Sequence, residues 1–328
     1  MEKIKNNVFV KKAGFNKLVL ACVLLLMYII FAILSPSFLS YNRILSALNY
    51  AYFLGFLALG VTFVIATGGI DFSIGPVMFC AALISGNLLT QSGIPLAACL
   101  IISLLIGTVF GVLNGYLVAY WNLPSFITSM ASMMIAKGVG SVFTKTQSVS
   151  WPQKGQANGG FRVFVKVTTD NGTQIPTGLL FLLLFAMVCA IILNKTKAGR
   201  YILCLGSNRE AVRLSGVDVK KWEMLAYVIS GTMAGVAAIA YVGAYTTVQP
   251  GLGDIFNNEA IAGCVMGGTS MTGGIASVGG TIIGVMVIGL LQEGILAMGF
   301  QKDWQYVLTG LIVVIAVYVD VRSRKRKI

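Results

Sequence analysis

Apolar stretches recur along the whole chain, separated by short polar or glycine-rich segments. An α-helix rises 1.5 Å per residue, so about 20 apolar residues cross the hydrocarbon core of a bilayer. The first stretch follows a lysine-rich start and is longer than the apolar part of a typical signal peptide. The stretches lie at about 18–34, 51–67, 74–90, 95–120, 125–143, 178–193, 223–245, 259–270, 277–297 and 305–321. This pattern predicts an all-α, polytopic integral membrane protein of about ten transmembrane helices.

The basic residues indicate the orientation of these spans. Of the 24 Lys and Arg residues, 17 lie in three segments: 1–17, 194–221 and the tail after position 320. Positive residues next to apolar spans accumulate on the cytoplasmic side, and an even number of spans returns both termini to one side. The sequence therefore predicts a cytoplasmic N-terminus (1–17), a cytoplasmic loop (194–221), a basic cytoplasmic tail (322–328) and a large outside loop (144–177).

Composition excludes several classes of protein. The chain is 57% hydrophobic and 11% charged, and its mean hydropathy is +0.85. These values rule out a soluble globule and intrinsic disorder. The net charge of +13 stems from the clusters beside the spans, so it does not predict nucleic-acid binding. There is no histidine, and the six cysteines show no CxxC spacing, so we expect no catalytic residues, no metal site and no cofactor.

A membrane protein that moves solutes needs an energy source, and each source has a sequence signature. No Gly-Lys-Ser or Gly-Lys-Thr occurs, so the chain lacks the phosphate-binding loop of an ATPase. Ion-coupled carriers place several ionisable groups in the membrane. Here the acids at or near spans are few, namely Asp71, Glu223, Glu259 and Glu293, with Asp254, Asp303 and Asp320 at span edges. A stand-alone secondary carrier or channel is therefore the less favoured alternative.

Two glycine-rich breaks interrupt the apolar pattern, ATGGIDFSIG at 66–75 and GGTSMTGG at 267–274. Each break is either a turn between helices or a discontinuous helix beside a translocation pathway. In the first break, the turn alternative has Asp71 capping the helix that starts near Phe72. Uncharged polar groups at the breaks and within one span would suit a neutral, hydroxyl-rich solute. The candidate pathway-lining residues are Gly68, Gly69, Asp71, Ser73, Asn114, Thr269 and Ser270.

Two further expectations concern the outer side. The alternation of apolar and polar residues over 161–167 predicts a strand within the outside loop. Lys137 lies inside a predicted span near its outer end, where we expect its side chain to extend to the membrane interface.

Three blocks resemble a known family. They are GVTFVIATGGIDFSIGPV (60–77), GRYILCLGSNREAVRLSGVDVKKWEMLAYVISG (199–231) and NNEAIAGCVMGGTSMTGGIASVGGTIIG (257–284). In this order they resemble the permease subunits of bacterial simple-sugar ABC importers of the ribose and xylose type. The resemblance extends over nearly the whole chain, so 1–328 is expected to form a single transmembrane permease domain. The outside loop is the least similar part.

The resemblance implies a transport subunit of the bacterial cytoplasmic membrane, not an enzyme, that forms half of a pore for a pentose or hexose. The implied partners are a second permease copy or paralogue, a cytoplasmic ABC ATPase subunit that hydrolyses ATP, and a periplasmic or lipid-anchored sugar-binding protein. In such importers a cytoplasmic permease loop docks on the ATPase. The matching positions are Gly199, Arg200, Gly206, Asn208, Glu210, Ala211, Ser215 and Gly216. The alternative is that the charged residues of this loop only form a solvated cytoplasmic surface.

The substrate class stays open at this point. Permeases of branched-chain amino-acid or nucleoside ABC importers share the general architecture. The ATGGIDFS block favours the sugar group over both.

Overall fold

A computed structural model describes residues 14–169, 173–301 and 303–325. The predicted N-terminal segment lies largely outside these residues, as do Lys302 and the last three residues of the basic tail. In the part described, the chain forms twelve α-helices. They are α1 Phe15–Leu34, α2 Tyr41–Ala66, α3 Ile74–Gln91, α4 Leu96–Ala119, α5 Ser125–Phe143, α6 Gly178–Lys195, α7 Lys197–Ser207, α8 Arg209–Leu214, α9 Val219–Ala244, α10 Asp254–Met266, α11 Val278–Ala297 and α12 Trp304–Lys325.

Eight of these helices, α1 to α6, α9 and α11, are long and apolar enough to cross a membrane. This confirms the predicted all-α, polytopic fold, while the count of ten spans and the side of the termini remain predictions. The stretch predicted at 259–270 corresponds to α10, which has only 13 residues and ends before the second break. At about 1.5 Å per residue, a helix of this length is too short to cross the bilayer alone. Its end is marked by Gly268, whose φ of 90° is unfavourable for other residues.

The centre of the molecule is α2, which is almost wholly buried, and α9 packs beside it. On its other side α9 lies very close to α4. A Cβ atom built on Gly107 would be 2.3 Å from the carbonyl oxygen of Gly231, and one built on Gly111 would be 2.5 Å from that of Tyr227. Small residues at such a crossing allow two helix backbones to approach closely, which strengthens packing in lipid.

The outside segment folds back onto the helices. The two-residue strand β1 (Val149–Ser150) pairs antiparallel with β4 (Thr247–Val248), and β2 (Val167–Thr168) pairs with β3 (Gln174–Ile175). The side chain of Trp151, next to β1, is buried and donates a hydrogen bond to the carbonyl of Ala82 in α3. This segment is therefore anchored to the transmembrane helices.

The strand predicted over 161–167 is wrong for most of its length. Residues Gly159–Phe164 form a 3-10 helix, and only Val167 belongs to a strand. The neighbours Phe161 and Arg162 are both buried, whereas a strand would point them to opposite faces. The Arg162 guanidinium explains the difference, because it donates hydrogen bonds to the carbonyls of Pro152 (2.7 Å) and Gly243 (3.1 Å). Burial lowers the pKa of this guanidinium.

Candidate coupling and pathway site

The first break, between α2 and α3, is organised by one buried carboxylate. Asp71 is 1% exposed. Its Oδ1 accepts hydrogen bonds from the backbone N–H (2.9 Å) and the hydroxyl (2.6 Å) of Ser73, and its Oδ2 accepts one from the Ser230 hydroxyl of α9 (2.9 Å). The N-cap of α3 is Ser73, so Asp71 stabilises the turn that precedes the helix and does not itself cap it. The geometry therefore favours the alternative of a turn between helices, and the bond to Ser230 ties the break to α9.

The same network extends into two further helices. Asn114 of α4 donates a hydrogen bond from its side-chain amide to the Ser73 hydroxyl (2.8 Å). The Ser132 hydroxyl of α5 donates to the side-chain oxygen of Asn114. All of these groups are buried, so each hydrogen bond satisfies a polar atom that would otherwise be costly to remove from water. The network joins the first break to α4, α5 and α9.

The second break, between α10 and α11, forms a compact turn. The backbone N–H of Ser270 donates to the carbonyl of Ile275 (2.9 Å), and the N–H of Ser277 donates to the Thr269 hydroxyl (3.2 Å). Within the turn, Gly273 and Gly274 have φ angles of 80° and 78°, a conformation that favours glycine. Thr269 is thus a structural acceptor inside the turn, and its side chain is buried.

The two breaks and the predicted coupling loop meet at Gly206, near the end of α7. The N–H of Gly274 donates to the carbonyl of Ala66 at the end of α2 (3.0 Å). A Cβ atom built on Gly206 would lie 2.0 Å from that carbonyl oxygen, 2.4 Å from the nitrogen of Gly274 and 2.9 Å from the Cα of Gly273. All three neighbours are backbone atoms, which cannot rotate away. The three sequence blocks therefore converge on one backbone contact.

The start of α7 also depends on a glycine that has no room for a side chain. A Cβ atom built on Gly199 would lie 2.1 Å from the carbonyl oxygen of Leu193, so only glycine allows the turn from α6 into α7. The hydroxyl of Thr196 caps the helix by accepting a hydrogen bond from the Gly199 N–H (3.3 Å). Arg200, the next residue, is exposed. The predicted glycine at 199 therefore sets the direction in which α7 leaves the membrane domain.

The other predicted coupling residues lie in the six-residue helix α8 or directly beside its ends. Its N-cap is Asn208, whose side-chain oxygen accepts a hydrogen bond from the N–H of Ala211 (2.9 Å). Glu210 and Arg213 form an exposed ion pair, and the hydrogen bonds from Arg213 lower the pKa of the Glu210 carboxyl. The helix ends at Ser215 and Gly216; the φ of Gly216 is 78°. The predicted coupling residues Ser215 and Gly216 thus lie at a helix end.

A cavity of about 250 Å³ lies between α8 and the first break. One wall is the Arg209–Glu223 ion pair, which is bidentate with N–O distances of 2.6 and 2.7 Å and joins α8 to α9. Thr67, Gly68 and Gly69 form another wall, and Tyr227 of α9 also lines the cavity. Glu223, Tyr227 and Ser230 have the i, i+4, i+7 spacing of one helix face. One face of α9 thus contacts both α8 and the first break.

Replacing Arg209 by alanine should lower the thermal stability of the purified chain, because it leaves the buried Glu223 carboxylate without its cation. Arg209 is half-exposed, so solvent reduces the loss to roughly 1–3 kcal/mol. Arg213→Ala in the same helix removes an exposed pair and is the matched control, with a loss near zero. Adding Glu223→Gln to Arg209→Ala should restore part of the stability. Equal melting temperatures for the two single variants would contradict this role for Arg209.

The structure places the predicted residues in two groups. The coupling residues 199–216 form the α7–α8 segment together, and Gly206 alone among those predicted there reaches the breaks. Of the seven candidate pathway residues, Gly68 is exposed and Gly69 is partly exposed, while the other five are buried within the chain. Their role in lining a pathway remains a prediction. Sequence reasoning did not identify the roles of Arg209, Tyr227 and Ser230, although the spacing along α9 could have signalled the latter two.

The other membrane acids are also hydrogen-bonded or paired. The Glu259 carboxylate accepts hydrogen bonds from the Tyr50 hydroxyl and from the Gln305 amide (2.6 Å), and Glu293 pairs with Arg43 at 3.4 Å. Both carboxylates are therefore held in the helix packing by these contacts.

Comparisons with known proteins agree with this geometry. The family model described as "Branched-chain amino acid transport system / permease component" matches residues 43–317. The galactose/methyl galactoside import permease protein of Escherichia coli (strain K12) is 31% identical, over 93% of this chain and 94% of the relative. The ribose import permease protein of Bacillus subtilis (strain 168) is 33% identical, over 90% of each chain. The fructose import permease protein of Rhizobium meliloti is 32% identical, over 92% and 84%.

No solved structure gives a significant match. The permease relatives and the eight apolar helices together show that the chain is a multi-pass protein of the bacterial inner membrane. The matched region includes both breaks and the whole α7–α8 segment. The chain therefore belongs to the ABC-importer permease family that the three sequence blocks indicated.

Proposed function

We propose that the chain imports a simple sugar as one half of a two-copy pathway, powered by a separate cytoplasmic ATPase that docks on α7–α8. The other half would be a second copy or a close paralogue. A periplasmic or lipid-anchored binding protein would deliver the sugar to the outer mouth. ATP hydrolysis would reside entirely on the partner, since the chain has no phosphate-binding loop of its own.

The surface of α8 supports docking of a partner. Residues 207–216 are all exposed except Val212, and Leu214 is 74% exposed at the end of α8. The inward face is held by Val212, which packs with Leu205 and Val219. The outward surface of α8 therefore offers charged side chains and one apolar side chain to a partner. A docked ATPase would thus contact a helix that is itself anchored to the membrane domain.

The contact at Gly206 carries the proposal. It joins α7 directly to the backbone at the end of α2 and to the backbone of the second break, between α10 and α11. No flexible side chain lies between these backbones. Because packed backbones move as units, a shift of α7 on ATPase closure would displace both breaks together. The Arg209–Glu223 pair supplies a second connection, from α8 to α9. Both connections would convert ATPase motion into alternating access.

A sugar is the substrate class that the relatives and the residues favour together. The three relatives named above are called galactose, ribose and fructose import permeases, although the family model carries a branched-chain amino-acid description. Serine and threonine make up most of the polar residues at the breaks. A sugar offers hydroxyl groups, which such side chains bind by hydrogen bonds.

Reconstitution in proteoliposomes tests this function. We expect uptake of radiolabelled sugar only when the chain, its ATPase, the loaded binding protein and ATP are all present. Binding-protein screening against pentoses, hexoses, nucleosides and branched-chain amino acids would identify the substrate class. Uptake by the chain alone would contradict the ATP-driven function, and a binding protein that accepts only amino acids would contradict the sugar assignment.

A further inference from the structure

Lys137 has a partner that its position in the sequence does not indicate. Its ammonium forms an ion pair with the carboxylate of Asp254, the first residue of α10. The two side chains are 27% and 49% exposed on the surface of the single chain. The pair therefore lies on the outside of the helix bundle, between α5 and α10.

The depth of this pair follows from its neighbours. The first break contacts the middle of α9, because Ser230 lies close to the centre of that 26-residue helix. Asn257, in the first turn of α10, accepts a hydrogen bond from the Gly75 N–H (2.7 Å) and donates one to the carbonyl of Phe72. The start of α10 is therefore level with the middle of α9. Lys137 is six residues from the end of α5, about 9 Å inside it.

Other mid-depth surfaces of the chain are apolar. The exposed side chains of α4 include Leu105 and Val109, and those of α6 include Leu184 and Met187. Such faces suit contact with lipid. An ion pair exposed to hydrocarbon would cost several kcal/mol, and charged residues at this depth accordingly face water-filled cavities. An exposed ion pair at the depth of Lys137 and Asp254 is therefore unfavourable in contact with lipid.

We infer that the Lys137–Asp254 pair lines the water-filled pathway and binds the hydroxyl groups of the passing neutral solute. Asn258, one turn further along α10, is exposed on the same helix and adds an amide. The carboxylate accepts hydrogen bonds from hydroxyls and the ammonium donates to them, so a polyol can replace water at both groups. Because the charges neutralise each other, a neutral solute leaves no net charge buried. This inference rests on the proposed function.

Cysteine labelling tests the location of the pair. In the assembled complex, Lys137→Cys and Asp254→Cys should react with a charged, membrane-impermeant thiol reagent about tenfold faster than Val109→Cys. Val109 is 64% exposed near the middle of α4 and is the matched lipid-facing control. The parent chain, with Cys22 and Cys204 exposed, gives the background rate. If Asp254→Cys reacts no faster than Val109→Cys, the pair does not line a water-filled pathway.

Uptake kinetics test the binding role separately. Asp254→Asn should lower the maximal uptake rate about fivefold or more by weakening solute contacts in the pathway. The KM should stay unchanged, because the binding protein sets the capture of solute. An unchanged maximal rate would overturn the binding role. The labelling experiment requires no transport, so it tests this inference independently of the ATP-driven function. A failure of the ATP-driven function is detected separately, by reconstitution without the ATPase.

Discussion

Replacing Gly206 by alanine is expected to reduce sugar uptake about tenfold or more, while the protein still inserts into the membrane. The added methyl group would lie 2.0 Å from the carbonyl oxygen of Ala66 and 2.4 Å from the nitrogen of Gly274. Neither backbone atom can move without shifting the end of α2 or the second break. Overpacking of this kind costs about 1–3 kcal/mol, which a large helical domain tolerates. Uptake by membrane vesicles, normalised to the amount of inserted protein, measures the effect.

The control is Gly310→Ala, in the helix α12. A Cβ atom at Gly310 meets nothing within 4 Å, so this variant adds the same methyl group without a clash. Alanine also has the higher helix propensity at both positions, so propensity alone would stabilise each variant. Normal uptake by Gly206→Ala would show that the contact between α7 and the breaks is not needed for transport.

Replacing Asp71 by alanine should destabilise the purified chain by roughly 3 kcal/mol or more. Three buried donors would lose their acceptor: the Ser73 N–H, the Ser73 hydroxyl and the Ser230 hydroxyl. The expected result is a lower melting temperature in detergent together with lower uptake. Asp71→Asn keeps a side-chain oxygen and should retain part of the stability.

Asp218→Ala provides the matched comparison for Asp71. Asp218 is also an aspartate at the start of a helix, where it caps α9 by accepting a hydrogen bond from the Lys221 N–H, but it is exposed. Loss of an exposed cap costs about 1 kcal/mol. If Asp71→Ala melts like Asp218→Ala yet abolishes uptake, Asp71 acts on the solute and its structural role in the turn is not the reason for the loss.

Membrane character and most helix positions could be predicted from the sequence, because apolar periodicity and length act locally. The breaks at 66–75 and 267–274 were visible for the same reason, as glycine and polar residues interrupt the pattern. The helix ends at Asn208 and Gly216 follow from capping rules that involve only near neighbours.

What the sequence could not predict depends on contacts between distant segments. The alternation over 161–167 was interpreted as a strand, but the buried Arg162 guanidinium binds carbonyls near and far in sequence. The partner of Lys137, Asp254, lies 117 residues away, so the ion pair could not be predicted from local sequence. The contact of Gly206 with both breaks could not be predicted either, because the local sequence around a helical glycine does not indicate which backbone approaches it. Burial of five candidate pathway residues could not be foreseen from polarity alone.

The central claim is that motion passes between the ATPase and the two breaks through α7. The most direct test is the ATPase rate of the reconstituted complex with and without the sugar-loaded binding protein, compared for Gly206→Ala and Gly310→Ala. We expect both complexes to assemble and to show the same basal rate. Stimulation by the loaded binding protein should persist in Gly310→Ala and be lost in Gly206→Ala. Full stimulation in Gly206→Ala would contradict the claim that this contact links the breaks to the ATPase.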